Sequence, residues 1–217
     1  MRSENDTKTK QLTRTQQARR SDIIAAAITV INRDGYAAAS VQKIAEESAT
    51  SKSTVLYHFK SKAEIERAIV ATVFEDGAAY MGPFIVQAQG YSEKLHAYLT
   101  SNLQFIADNA PSIAALLEIE RNIGHKEFAD VSSHTQEDLP TRWLQEALKE
   151  GQQAGEFGTF DPAMLAVSIR LIIDGSAHYM VTHPSLDSTH YIAETIRLFD
   201  AITTKQETNY PTDIDSG

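Results

Sequence analysis

No cysteine occurs in the 217 residues. This excludes a disulfide scaffold, Cys-ligated zinc and thiol chemistry, and it suits a reducing compartment. Turn signals are sparse, with 6 prolines and 10 glycines, and runs of alternating polar and apolar residues are missing, so strands are not signalled. The opening stretch MRSENDTKTKQLTRTQQARR lacks the apolar run of a secretory leader. The most apolar later run, MLAVSIRLII, carries Arg170 and is too short to span a bilayer. A soluble, cytoplasmic chain with no membrane partner is the expectation. A G-x-S-x-G elbow, a P-loop, a dinucleotide glycine fingerprint and H-E-x-x-H are all absent, so no catalytic residue and no cofactor is expected. His125, His134, His178, His183 and His190 include no pair at i, i+4 spacing, and no metal site is expected.

What is present is enough apolar material for a core, 42% of the residues, in a length that fits one domain or a small one fused to a larger one. The net charge of −9 conceals an asymmetry. Residues 1–70 hold 12 Lys+Arg against 8 Asp+Glu, a balance of +4; residues 71–217 hold 8 against 21, a balance of −13. A basic front on an acidic body points to a polyanionic partner for the front alone.

Apolar spacing and caps predict helices throughout. In SDIIAAAITVINRDGY, Ile24, Ala27, Ile28 and Ile31 recur at i, i+3, i+4 and i+7, and Asp34-Gly35 is a stop. Ser40 caps a helix of about two turns carrying Val41, Ile44 and Ala45. After a tight connection at Ala49, Ser51 caps a third helix, KSTVLYHF, with Val55, Leu56 and Phe59 as its packing side. Ser61 and Glu64 form a capping box opening a fourth helix through AEIERAIVATVFEDGAAY, ended by Gly82-Pro83. Further helices are expected from Tyr91, from Pro111, through LPTRWLQEALKEGQQAG, from Pro162 after the Asp161 cap, and over the last stripe of Ile192, Ile196 and Phe199. GHKEFADVSSHTQED reads as loop with some helix.

Packing leaves Lys52, Ser53, Thr54, Tyr57 and His58 unexplained on the third helix. Short hydroxyl and lysine side chains near a helix N-terminus can reach base edges in a major groove, which admits one α-helix. Three short helices with that third face make a helix-turn-helix DNA-binding unit. Lys52, Ser53 and Thr54 are the expected base readers; Tyr57, His58 and Lys62 are expected on phosphates, with Arg20, Ser40, Lys43 and Ser51 on the same surface.

Arg20, Ile23, Ile24, Ala27, Gly35, Tyr36, Ser40, Val41, Ile44, Ala45, Ser51, Leu56, Tyr57, Phe59, Ser61 and Lys62 together resemble the N-terminal domain of the tetracycline-repressor (TetR) family of transcriptional regulators. The resemblance covers about residues 20–70 and departs at Ala49 and Ser53, where the family commonly has glycine. It implies an all-α fold, a DNA-binding head, a larger body that binds a small-molecule effector, and a homodimer on double-stranded operator DNA. The expected division is a flexible basic arm over 1–18, the helix-turn-helix domain over 19–66, the effector and dimerisation domain over 67–204, and a frayed tail over 205–217. The arm's Lys8, Lys10 and Arg14, with Arg19 and Arg20 just after it, would lie along phosphates or in a minor groove.

Within the body, Leu165, Ile169, Ile172 and Ile173, with Ile192, Ile196 and Phe199, are expected to form the dimer interface, helped by the small Gly175, Ser176 and Ala177. Tyr98, Asn102, Phe105, Glu120 and Trp143 are the candidates for an effector pocket, which would be largely apolar with a few polar groups. The alternative function is a helical ligand-binding or adaptor protein whose head no longer grips DNA, supported by Ala49 and Ser53 alone.

Overall fold

The computed structural model describes residues 13–124, 128 and 138–205. The expected arm before Thr13, most of the stretch 125–137 with His125 and His134, and the expected tail beyond Lys205 lie outside the described residues. Among the described residues there are nine helices and no strand: α1 Arg14–Asp34, α2 Val41–Glu47, α3 Lys52–His58, α4 Lys62–Gln87, α5 Gly90–Asp108, α6 Ala110–Ile123, α7 Asp138–Gln153, α8 Pro162–Thr182 and α9 Ser188–Thr203. The fold is all-α, a small three-helix head followed by a larger helical body.

Local chemistry places most boundaries. Thr13 and Gln16 form a reciprocal capping box at the start of α1, with Thr13 N–H donating to Gln16 Oε1 at 2.9 Å. Helix one therefore begins at Arg14, so residues 14–18 of the expected arm are helical. Its buried face is Ile23, Ala26, Ala27, Val30 and Ile31, one position away from the expected stripe, and Ile24 and Ile28 are half-buried. Gly35 closes α1 at φ 83°, where an L side chain would be strained. Asp161 and Asp187 cap α8 and α9 through their carboxylates, and Pro162 sits at the first position of α8.

Helix α4 corrects two expectations. Pro83 does not end it; the helix runs on to Gln87, because Pro83 is exposed, close to the C-terminus, and removes only one backbone hydrogen bond. The Glu64 carboxylate accepts from Lys60 N–H, one residue ahead of the Ser61 cap, so the box is displaced by one position. Since α4 starts in the head and ends in the body, a division after Glu66 falls inside one continuous helix.

Helix α5 is the centre of the body and packs on α4, α7, α8 and α9. It burdens its neighbours with close approaches: a Cβ at Gly77 would stand 3.3 Å from the Phe105 ring. Head and body also touch through α1 and α6, where Asn32 Nδ2 donates to the carbonyl of Pro111 at 2.9 Å. By length and composition α4 and α8 are apolar enough to cross a membrane. Each nevertheless lends a stripe to the shared core: Ile65, Ile69, Val70 and Val73 on α4, and Leu165, Ile169 and Ile173 on α8.

That burial overturns part of the expected dimer interface. Leu165, Ile169, Ile173, Ile192 and Phe199 are buried within the chain itself, and Ser176 and Ala177 point inward with them. Ile172 and Ile196 are half-buried against the same core. The exposed apolar residues of these two helices lie on the opposite side: Met164, Val167, Leu171 and Tyr179 on α8, Leu198 and Ile202 on α9.

Candidate nucleic-acid interface

Helix α3, at seven residues, is too short to stand alone and is held by what lies beneath it. Val55 and Phe59 are fully buried, while Leu56, expected to pack with them, is 38% exposed. Seven residues give the helix barely two turns, so only one narrow face reaches the core of α1 and α2. Lys52, Ser53 and Tyr57 are exposed, Tyr57 at 73%, and Thr54 and His58 are half-buried.

The turn before α3 closes despite its alanine. Ala49 has φ 49°, and no other non-glycine among the described residues has positive φ. Thr50 N–H donates to Ala45 O at 2.9 Å and Ala49 N–H to Glu46 O at 3.1 Å, the bond pair of a Schellman motif. The left-handed residue ends α2 and swings the chain into α3. At the α3 N-terminus Ser51 Oγ accepts from Thr54 N–H at 3.1 Å and lies 2.8 Å from both Ser53 Oγ and Thr54 Oγ1. Three hydroxyls thus cluster at the helix start, where unsatisfied N–H groups favour an anion. Ser53 adds its hydroxyl to this cluster without breaking the cap.

Several cations expected at the surface are engaged inside the head. Arg20 donates to the carbonyl of His58 at 2.5 Å, and its guanidinium lies 4.0 Å from the centre of the Phe59 ring. It ties α1 to the end of α3. Lys62 Nζ donates to the carbonyl of Tyr36 at 2.7 Å, sits 3.9 Å from the centre of that ring and lies 3.7 Å from Glu66 Oε1. That carboxylate oxygen is buried and has no hydrogen bond, so Lys62 is its nearby counter-charge. Lys43 is paired with Asp34 at 2.8 Å, and Arg33 bridges Asp34 at 2.9 Å and Glu47 at 2.7 Å. Hydrogen bonds from Arg33 and Lys43 hold the Asp34 carboxyl down at about 2. Arg20 and Lys62 thus also act as internal ties of the head, and Lys43 is paired within it.

The cations left facing water beside α3 are Lys52, at its start, and Lys60, just past its end; both are exposed, with no ion pair among the described residues. Lys60 was missed in the sequence, although it stands in the triplet Lys60-Ser61-Lys62. His58 is held below its ordinary pKa, first by burial and then by the charges of Arg20 and Arg19. Near neutral pH it is a neutral ring, edge-on to Tyr57 with ring centres 5.1 Å apart.

In the body, Tyr98 is buried and its ring lies 5.5 Å from that of half-buried Trp143. Asn102, one turn on from Tyr98, donates to its carbonyl at 3.3 Å. Phe105 is placed elsewhere, against Gly77 and 5.9 Å from Tyr80. Glu120 is half-buried on α6. Of the five expected pocket residues Tyr98 and Trp143 stand together, beside a neighbour that the sequence did not single out: Arg170, whose Nη1 donates to Tyr98 Oη at 3.2 Å.

Comparison with known proteins follows this geometry. Residues 23–69 match the family model described as bacterial regulatory proteins, tetR family. No curated protein matches the chain by sequence. A tetR-family regulatory protein from Rhodococcus RHA1 superposes with a TM-score of 0.73 at 22% identity, over 87% of this chain and 98% of that one. The ketosteroid transcriptional regulator KstR2 of Mycobacterium tuberculosis gives 0.70 at 16% identity, over 87% and 96%. AibR, solved in complex with isovaleryl coenzyme A and operator DNA, gives 0.69 at 17% identity, over 83% and 97%. These three likenesses are of fold.

Proposed function

We propose that this chain, whose head is a tetR-family DNA-binding domain, is a cytoplasmic, ligand-responsive transcriptional regulator: a repressor that binds a palindromic operator as a homodimer and leaves it when a small molecule occupies the body. The observation that carries the reading is the short α3, anchored by Val55 and Phe59, with Lys52, Ser53, Thr54 and Tyr57 turned outward behind a closed Schellman turn. In this reading Ser53, Thr54 and Lys52 read bases, and Lys60 and Tyr57 hold phosphates.

A mate is supported by the outer face of α8 and α9. Met164, Val167 and Leu171 make an exposed apolar stripe on α8, α9 leaves Leu198 and Ile202 exposed, and Gly175 has open space where a Cβ would stand. Exposed apolar residues on both of these helices suit a four-helix bundle with a twofold copy. Two heads must then match half-sites about 34–36 Å apart or a multiple of that. An effector acts only by binding one arrangement of the heads better than the other. The continuous α4 and the Asn32–Pro111 contact are the two physical links along which body and head move together.

The test is a salt titration of binding to the DNA upstream of the protein's own gene. With about six phosphates neutralised, log affinity falls against log salt with a slope near −5. Thr54→Ala should reduce the preference for operator over scrambled DNA. Salt-independent binding, or no binding to any promoter fragment, would sink the regulator reading.

A further inference from the structure

We infer that Glu66 is a positioning residue of the DNA-binding head: it holds the Lys62 ammonium back from the operator phosphates and so sets how tightly the head grips. The inference rests on the DNA-binding reading above and adds a residue to it. Glu66 lies in the second turn of α4, with only 9% of its side chain exposed. Its Oε1 is buried and has no hydrogen bond among the described residues. A carboxylate taken out of water in this way is costly, and it draws in a cation within reach. The cation paired with it is Lys62, one turn earlier on the same helix, whose Nζ lies 3.7 Å from Oε1.

Local electrostatics would send Lys62 the other way. It is the first residue of α4, behind the Ser61 cap and two residues past the exposed Lys60. A helix N-terminus carries partial positive charge, which drives a cation outward. Lys62 is turned inward nevertheless. Its Nζ donates to the Tyr36 carbonyl at 2.7 Å and lies 3.9 Å from the centre of that ring, and its side chain is 29% exposed. The carbonyl and the ring are neutral partners, each weaker for an ammonium than a charged phosphate. Glu66 supplies the full negative charge among these contacts, so it decides where the ammonium stays. Without that charge the flexible lysine stem is free to swing to a phosphate beside the one that Lys60 holds. A weaker grip lowers the differential affinity that an effector must supply to empty the operator.

Glu66→Gln, which keeps the shape and removes the charge, is compared with the parent, Lys62→Ala and the double variant in salt titrations on the DNA upstream of the protein's own gene. One more neutralised phosphate steepens the plot of log affinity against log salt by about 0.9. Glu66→Gln is expected to show that steepening, Lys62→Ala to keep the parent slope, and the double variant to return to it. Glu66→Met, apolar and similar in length, should steepen the slope as Gln does, and it keeps the test open should the buried amide disturb folding. Acylation of the DNA-free proteins by an N-hydroxysuccinimide ester, read by peptide mass spectrometry, follows the tie directly. Lys62 should react more slowly than Lys60 in the parent and about as fast as Lys60 in either Glu66 variant. A Glu66 that only supports the fold would move melting and leave both the slope and the reactivity of Lys62 unchanged. Four results overturn the inference and leave the regulator reading standing: a slope that flattens in Lys62→Ala, a steepening that persists without Lys62, no steepening in either Glu66 variant, or a parent Lys62 as reactive as Lys60. Failure of the parent to bind any promoter fragment is a separate outcome, which sinks the regulator reading itself and this inference with it.

Discussion

Replacing Ala49 by glycine should stabilise this protein. Ala49 is exposed and holds φ 49° as the left-handed residue of the turn between α2 and α3. A left-handed conformation costs an L residue about 1–2 kcal/mol, because its Cβ crowds the following carbonyl. Glycine removes that crowding, but its freer unfolded chain returns about 0.4–1 kcal/mol. No side-chain packing is lost at an exposed alanine, so the net gain is about 0.5–1 kcal/mol. In a chain of this size each kcal/mol moves the melting temperature by about 2–4 °C, so Ala49→Gly should melt about 1–4 °C higher in a reversible calorimetric scan. Ala49→Val is the opposing control, since a β-branched residue is worse still at positive φ, and it should melt below the parent. Operator affinity should change little in the glycine variant, because the same turn aims the same α3. A lower melting temperature for Ala49→Gly would refute the reasoning, and a glycine variant that alone gains operator binding would show instead that alanine distorts the turn.

Other substitutions separate the roles assigned in the head and body. Lys62→Ala should cost about 1–2 kcal/mol of stability, through the lost Tyr36 contacts and the charge left on buried Glu66, while leaving the salt slope of DNA binding unchanged. Lys60→Ala should do the reverse, flattening that slope by about 1 with no change in melting. Leu171→Glu, on the exposed apolar stripe, should yield a folded monomer by light scattering with weakened operator binding; a persistent dimer would move the interface elsewhere. The depressed pKa of His58 means that the folded head favours the neutral ring, so its contribution is fully present above pH 6.5 and is lost as pH falls through that value and below. His58→Gln should therefore make stability less dependent on pH between about 7 and 5, read from denaturant midpoints; an unchanged pH profile would remove the histidine from that role.

Much of the head was legible because its signals are short-range. Ser40, Ser51 and Ser61 each accept from a backbone N–H three residues on, and the αL turn needs only Ala49 and its neighbours. The arrangement of charges was not legible. Arg20 bonds a carbonyl 38 residues away and Lys62 one 26 residues away, so a basic segment read along the chain counts as free cations groups that the fold has already paired. Helix α8 failed for another reason: it is apolar on two sides, and periodicity cannot tell which side faces the core and which faces water. The sequence chose Leu165, Ile169 and Ile173 for the partner, whereas these are the core and Met164, Val167 and Leu171 are outside.

By itself the sequence determined the helical character of the chain, the serine caps at Ser40, Ser51 and Ser61 and the polar face of α3, because each depends on residues within a turn or two of one another. Tertiary structure decided which lysines and arginines are paired inside the head, which apolar face of α8 stays exposed, and that Arg170 meets Tyr98 across 72 positions of chain. Those outcomes depend on groups remote in the chain that only packing brings within a few ångströms, where burial and pairing settle what a charge or an apolar surface can still do.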